Sequence, residues 1–173
     1  MRIRAKVVVV AIVLVAAVSY FSAATGINRL ARDFLGFKAG ELEKFAVSEW
    51  ALVDQTIEAG GIPGLSEAEL VSATQDSIRG FARSIVRRDS ERIFAVDDQG
   101  RLVLDAVGTD ADAPEPSQPE QAVFSTFYSQ LPAGLIEFSL GGISRVGTGF
   151  RFEPFDWYFI TSDTSEAFYQ DLA

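Results

Sequence analysis

The sequence predicts an α+β protein in which a long N-terminal helix and a second helix pack on a five-stranded antiparallel sheet, preceded by one transmembrane helix. Three observations carry this. Both long segments before residue 88 repeat apolar residues at helical spacing. Next, Arg92 to Asp105, RIFAVDDQGRLVLD, reads as two short strands, Arg92–Asp97 and Arg101–Asp105. They are joined by Asp98-Gln99-Gly100, where Gly100 supplies the positive φ that a tight hairpin turn demands. After the hairpin, apart from one short helix and a last turn, the pattern is strand and turn.

Composition narrows the chemistry. With 173 residues, 48% of them hydrophobic, and 14 Phe, the chain can build a real core with an appendage. It has no Cys and no His, which excludes disulfides, thiol nucleophiles, Cys/His zinc sites and imidazole acid–base catalysis. All 24 acidic residues lie after residue 26, against three of the 15 basic ones before it. So acidic a body disfavours nucleic acid and anionic lipid headgroups.

At the N-terminus Arg2, Arg4 and Lys6 precede an apolar run from Val7 to Val18 that continues to Ala24. The stretch can just cross a hydrocarbon core of roughly 30 Å. The basic cluster would stay in the cytoplasm, placing residues 27–173 outside it. Ser22-Ala23-Ala24 also fits a cleavable signal peptide, so residues 1–26 are an anchor or a leader. Export follows from both.

From Asn28 to Ala59, Leu35, Leu42, Phe45 and Leu52 form one stripe, with Ala39, Ala46 and Val53 beside them. This long helix, 27–60, suits a signalling and dimerisation rod continuous with the anchor, or an amphipathic helix packed on its own sheet. Gly36 and Gly40 have small-xxx-small spacing, which lets helices approach closely, or else they are weak points. Gly60-Gly61-Ile62-Pro63-Gly64 stops the helix. Ser66 and Glu69 form a capping box that opens a second helix, 66–87, with Leu70, Val71, Ile78, Phe81, Ala82 and Ile85 on its apolar face. Arg87 and Arg88 then complement its C-terminal dipole.

The region 91–163 holds the sheet with an inserted loop and helix. The loop runs from Val107 to Pro119; its Asp110, Asp112 and Glu115 lack the acid spacing of a calcium loop. Ser117 and Glu120 form another capping box, ahead of a short helix carrying Val123, Phe124, Phe127, Tyr128 and Leu131. Three strands follow, Leu135–Leu140, Ser144–Phe152 and Trp157–Thr161. Alternation puts Ile136, Phe138 and Leu140 on one face of the first, and Arg145 and Arg151 together on one face of the second. Asp163 or Ser165 caps a last helical segment, residues 164–173, the start of an output helix. Asp97 and Asp98 are the best candidate acid pair for hydrolysis, but neighbours in a turn point to opposite sides and serve the hairpin better.

The residues IFAVDDQGRLVLD, 93–105, and FRFEPFDWYFITSD, 150–163, resemble the hairpin and the Pro-x-x-Trp closing strand of the single Cache sensor domain of bacterial membrane receptors, which has a PAS-like sheet. FLGFKAGELEKFAVSEW, 34–50, is similar to the corresponding stretch of membrane-anchored nucleotide cyclases. The likeness covers residues 27–173 and implies an extracytoplasmic sensor at the inner membrane, with any catalytic output beyond residue 173. It implies a small-molecule ligand, a carboxylate among the candidates, held between the sheet and the helix crossing it. The side chains of suitable chemistry are Arg145 and Arg151 as cationic donors, Tyr128, Phe138, Trp157 and Tyr158 as walls, and Asp156 as partner for an ammonium. The same aromatics also suit an ordinary core. No cofactor and no nucleic-acid partner are expected; a homodimer through the long helix is. The competing reading is a ligand-free dimerisation or protein-partner-binding module on the membrane exterior.

Overall fold

A computed structural model describes residues 33–107, 115–130 and 134–170. The expected anchor or leader, the first turns of the long helix, Asp110, Asp112 and Leu131 lie outside them. Among the described residues no helix is long and apolar enough to cross a membrane.

Helix α1 covers 33–58. Leu35, Ala39, Leu42 and Ala46 are buried along it, as the stripe requires. Leu52 is not: it is 60% exposed. At 3.6 residues per turn it falls about 80° round the helix from Leu42, beyond the edge of the packed stripe. Instead Lys38 occupies a buried position. Helix α2, Glu67–Ile85, starts at the expected capping box, Ser66 and Glu69 each accepting from the other's backbone N–H. The stacked rings of Phe45 and Phe81, 4.2 Å apart, join α2 to α1.

The strands are β1 (Arg92–Val96), β2 (Leu102–Val107), β3 (Ile136–Leu140), β4 (Ile143–Phe152) and β5 (Trp157–Thr164), in the order β2-β1-β5-β4-β3. All neighbours pair antiparallel. The expected five-stranded sheet is therefore present, and the hairpin that opens it forms β1 and β2. Gly100 has φ 76°, and its Cα lies so close to α3 (Gln118–Gln130) that a Cβ there would fall 2.0 Å from the Gln121 carbonyl oxygen. The hairpin turn thus abuts the inserted helix through a position only glycine can fill. Helix α3 begins at Ser117, whose hydroxyl and N–H both donate to Glu120.

Cross-strand pairs fix the two faces. Ile93, Ala95, Leu104, Ala106, Phe152 and Phe159 point toward α1 and α2 and pack on Leu42, Ala46, Ile78 and Ala82. Phe94, Val96, Ile136, Phe138, Leu140, Tyr158 and Ile160 point the other way and pack under Phe124 and Tyr128 of α3. A five-stranded sheet with an apolar surface on both sides must be covered on both, and the two helical layers do that. β5 continues past Thr161 to Thr164 because Val146 and Arg145 of β4 pair with Asp163 and Thr164. The cap of the last helix, α4 (Ser165–Gln170), is accordingly Thr164, whose hydroxyl accepts from the Ala167 N–H at 3.3 Å, and not Asp163 or Ser165. Phe168 of α4, Leu35 of α1 and Val146 of β4 form a small third cluster.

Candidate functional site: a buried arginine on the sheet

The α3 face of β4 carries Arg145, Gly147, Gly149 and Arg151 in alternation, because each pairs with a residue of that face on β5 or β3: Gly147 with Ser162, Gly149 with Ile160, Arg151 with Tyr158, and Arg145 with Phe138. The glycines make room. A Cβ on Gly149 would lie 2.8 Å from the Tyr158 ring, and one on Gly147 would lie 3.1 Å from that of Phe138. The two aromatic side chains lean across β4 into this space, and α3 closes over them. Phe94, Phe124 and Phe138 meet edge to face, with ring centroids 5.5 to 5.9 Å apart.

Of the predicted site residues, Arg151, Tyr128 and Asp156 come together. The Tyr128 hydroxyl donates to an Asp156 carboxylate oxygen. Arg151 donates to the same oxygen at 3.1 Å and lies over the Tyr128 ring, 4.9 Å from its centroid. Asp156 sits in the left-handed region, φ 57°, at the β4–β5 turn, which turns its carboxylate toward α3. Hydrogen bonds from Tyr128 and Arg151 hold the Asp156 carboxyl below the usual range, whereas burial and the bond to Asp156 push Tyr128 up. Both bonds end on one oxygen of Asp156. The triad clamps the end of α3 to the sheet.

Arg145 stands six residues away along β4. It is 4% exposed. Its Nε donates to Ser162 Oγ at 3.0 Å and its Nη2 to the Ser90 carbonyl at 2.7 Å, and both acceptors are neutral. No carboxylate of the described residues bonds to it: Arg92 holds Asp105 through two bonds of 2.8 Å, and Arg88 binds Asp163 at 3.1 Å. Burial, reinforced by the charge of Arg92 and opposed by those of Asp163 and Asp105, brings the Arg145 guanidinium down to about 10. A buried cation bonded only to neutral oxygens is rare, because its desolvation is offset only in part.

Phe138 and Tyr158 lie on the same face between the two arginines. The Tyr158 hydroxyl is buried with no hydrogen-bond partner among the described residues, and burial pushes it up to about 12. Trp157 precedes Tyr158 on β5 and so lies on the other face, packed on Phe155 and Phe159, with Phe155 in turn against Trp50 of α1. Asp97 is engaged within its turn, accepting from the N–H groups of Gln99 and Arg101 and from the Arg101 side chain. A cavity of ≈ 280 Å³ lies elsewhere, lined by Arg101, Leu102, Glu115, Pro116 and Gln121. Sequence reasoning missed Ser90, Ser162 and Arg92. The only sequence signal for Ser162 and Arg92 is strand alternation, since each follows Tyr158 or precedes Phe94 at even spacing on the same face; Ser90 contributes only its carbonyl and leaves no signal in residue type.

No family model matches the chain, and no curated protein matches it. Among solved structures it is similar to a methyl-accepting chemotaxis protein from Vibrio parahaemolyticus, at 14% identity over 83% of this chain and 99% of that one, with a TM-score of 0.44. It is also similar to a Cache chemosensory domain described for carboxylic acid recognition (13% identity, 79% and 97% covered, TM-score 0.48). A third is the periplasmic sensor domain of a chemotaxis protein (15% identity, 76% and 97% covered, TM-score 0.43).

Proposed function

We propose that this chain is the extracytoplasmic sensor domain of a bacterial membrane receptor of the single Cache type, and that it binds a small organic anion at Arg145 on the α3 face of the sheet. The observation that carries the reading is the buried Arg145 guanidinium, which has neutral acceptors and no carboxylate of the described residues bonded to it. An arriving carboxylate would accept a charge-assisted bond there and offset the desolvation the cation already suffers. Arg151 and Asp156, already bound to each other, would shape the site's far end. The domain would sit outside the inner membrane, tethered through the segment before α1, with α1 as the signalling helix.

The test is a thermal-shift panel on the full chain with acetate, propionate, lactate, succinate and their uncharged amides. A carboxylate present at a hundred times its Kd stabilises by about 2.7 kcal/mol and raises Tm by roughly 5 °C or more. The amide should not. No shift with any carboxylate, or an equal shift in the Arg145→Gln protein, rejects the assignment.

One observation favours a second reading. Phe34, Phe37 and Leu52 are 45%, 67% and 60% exposed on α1, apolar surface available to a second copy of the helix. A ligand-free dimerisation module would show concentration-dependent association and no response to the panel.

A further inference from the structure

We infer that the turn from Arg88 to Glu91 is a relay that converts the state of Arg145 on one face of the sheet into the grip on α1 at the other. The inference rests on the proposed anion site for its trigger, but its mechanics are independent of it.

Three attachments meet in this turn. The Ser90 carbonyl accepts from Arg145 Nη2 at 2.7 Å and from the Thr164 N–H at 3.2 Å. Glu91, 4% exposed, accepts from Lys38 Nζ of α1 at 2.6 Å, from the Arg87 N–H at 2.7 Å and from Arg88 Nε at 3.3 Å. The Ser90 carbonyl and the Glu91 N–H belong to one peptide plane, and that N–H donates to the Arg88 carbonyl at 3.0 Å. A peptide plane is rigid. Whatever swings its oxygen swings its N–H, breaks or strains the bond to Arg88, and displaces the carboxylate that holds Lys38.

The attachment to α1 is a buried one. Lys38 is 7% exposed, and its ammonium meets the Glu91 carboxylate across the seam between helix and sheet. Losing the geometry of a buried pair costs far more than losing a surface one. An anion that draws Arg145 Nη2 off the Ser90 carbonyl therefore releases the turn, and the Lys38 anchor loosens. α1 is the helix that leads back toward the N-terminus, so its release is the event to be read.

Hydrogen exchange on the full chain tests this without a ligand, since Arg145→Met removes the Ser90 bond permanently. Amides of α1 from 38 to 46 should exchange about tenfold faster in Arg145→Met than in the parent, and the same substitution in a Lys38→Met background should change them less than about twofold. Arg145→Lys, which keeps the charge but is too short for the same fork, should act in the same direction and serves if Arg145→Met does not fold. Unchanged α1 exchange in the folded variants overturns the relay, as does an equal increase with and without Lys38. The carboxylate panel is scored separately: if no carboxylate binds while the exchange pattern holds, the anion reading fails and the relay stands.

Discussion

Tyr158 lies against Gly149 so closely that a Cβ on the glycine would fall 2.9 Å from the tyrosine hydroxyl, and that hydroxyl is buried without a hydrogen-bond partner among the described residues. An aromatic carrying an unsatisfied polar atom is less stable than its apolar isostere, because burying an unpaired hydroxyl costs about 1–3 kcal/mol. Tyr158→Phe is therefore expected to raise the unfolding free energy by about 1 kcal/mol in a urea titration. A destabilised Tyr158→Phe protein would show that the hydroxyl has a partner in solution.

The Lys38–Glu91 pair gives stability a pH dependence. Burial works to raise the Glu91 carboxyl, but bonds from Lys38, the Arg87 N–H and Arg88 outweigh it and leave the group below its ordinary 4.5. The folded state thus binds this proton more weakly than the unfolded chain does. Its contribution is fully present above about pH 4.5 and is lost as pH falls through the lowered value. Melting of the parent and of Glu91→Gln, compared from pH 7 downward, should differ most at neutral pH, by about 3 kcal/mol, and converge in acid.

Gly100 ties the hairpin turn to α3. Its φ is 76°, and a methyl added to it would fall 2.0 Å from the Gln121 carbonyl oxygen, which leaves no side chain a place. Gly100→Ala should cost more than about 2 kcal/mol, with exchange protection lost first in α3. Gly142→Ala is the control: its φ is also positive, 77°, but no atom lies within 4 Å of the added carbon, so it should cost only about 1 kcal/mol.

If α1 pairs with a second copy, Phe37 is a natural contact, being the most exposed large apolar side chain among the described residues of the helix at 67%. Phe37→Glu should then move the full chain toward monomer in sedimentation, with its Tm changed by less than about 2 °C. Unaltered sedimentation would place any association elsewhere.

Much of this molecule could be read from local pattern. The two long helices, the hairpin and the three later strands each carry a periodicity or a turn chemistry within their own few residues: the Ser66/Glu69 and Ser117/Glu120 boxes, Gly100 in the turn, alternation from Ile136 to Leu140. Alternation likewise set Arg145 and Arg151 on one face. Pairing register decided what alternation could not. Leu52 lies outside the buried stripe while Lys38 lies inside it, since a charge 53 residues away neutralises the latter. Arg151 has its own carboxylate at the β4–β5 turn, whereas Arg145, the same residue type on the same strand face, bonds among the described residues to the neutral oxygens of Ser162 and Ser90. The sequence alone determined most of the elements and the alternation of faces along the strands, because those follow from short-range sterics and from the repeat of apolar side chains. Only the tertiary structure decided which arginine is left buried with no carboxylate of the described residues bonded to it, because that depends on which acids the sheet order brings near and which it has already paired.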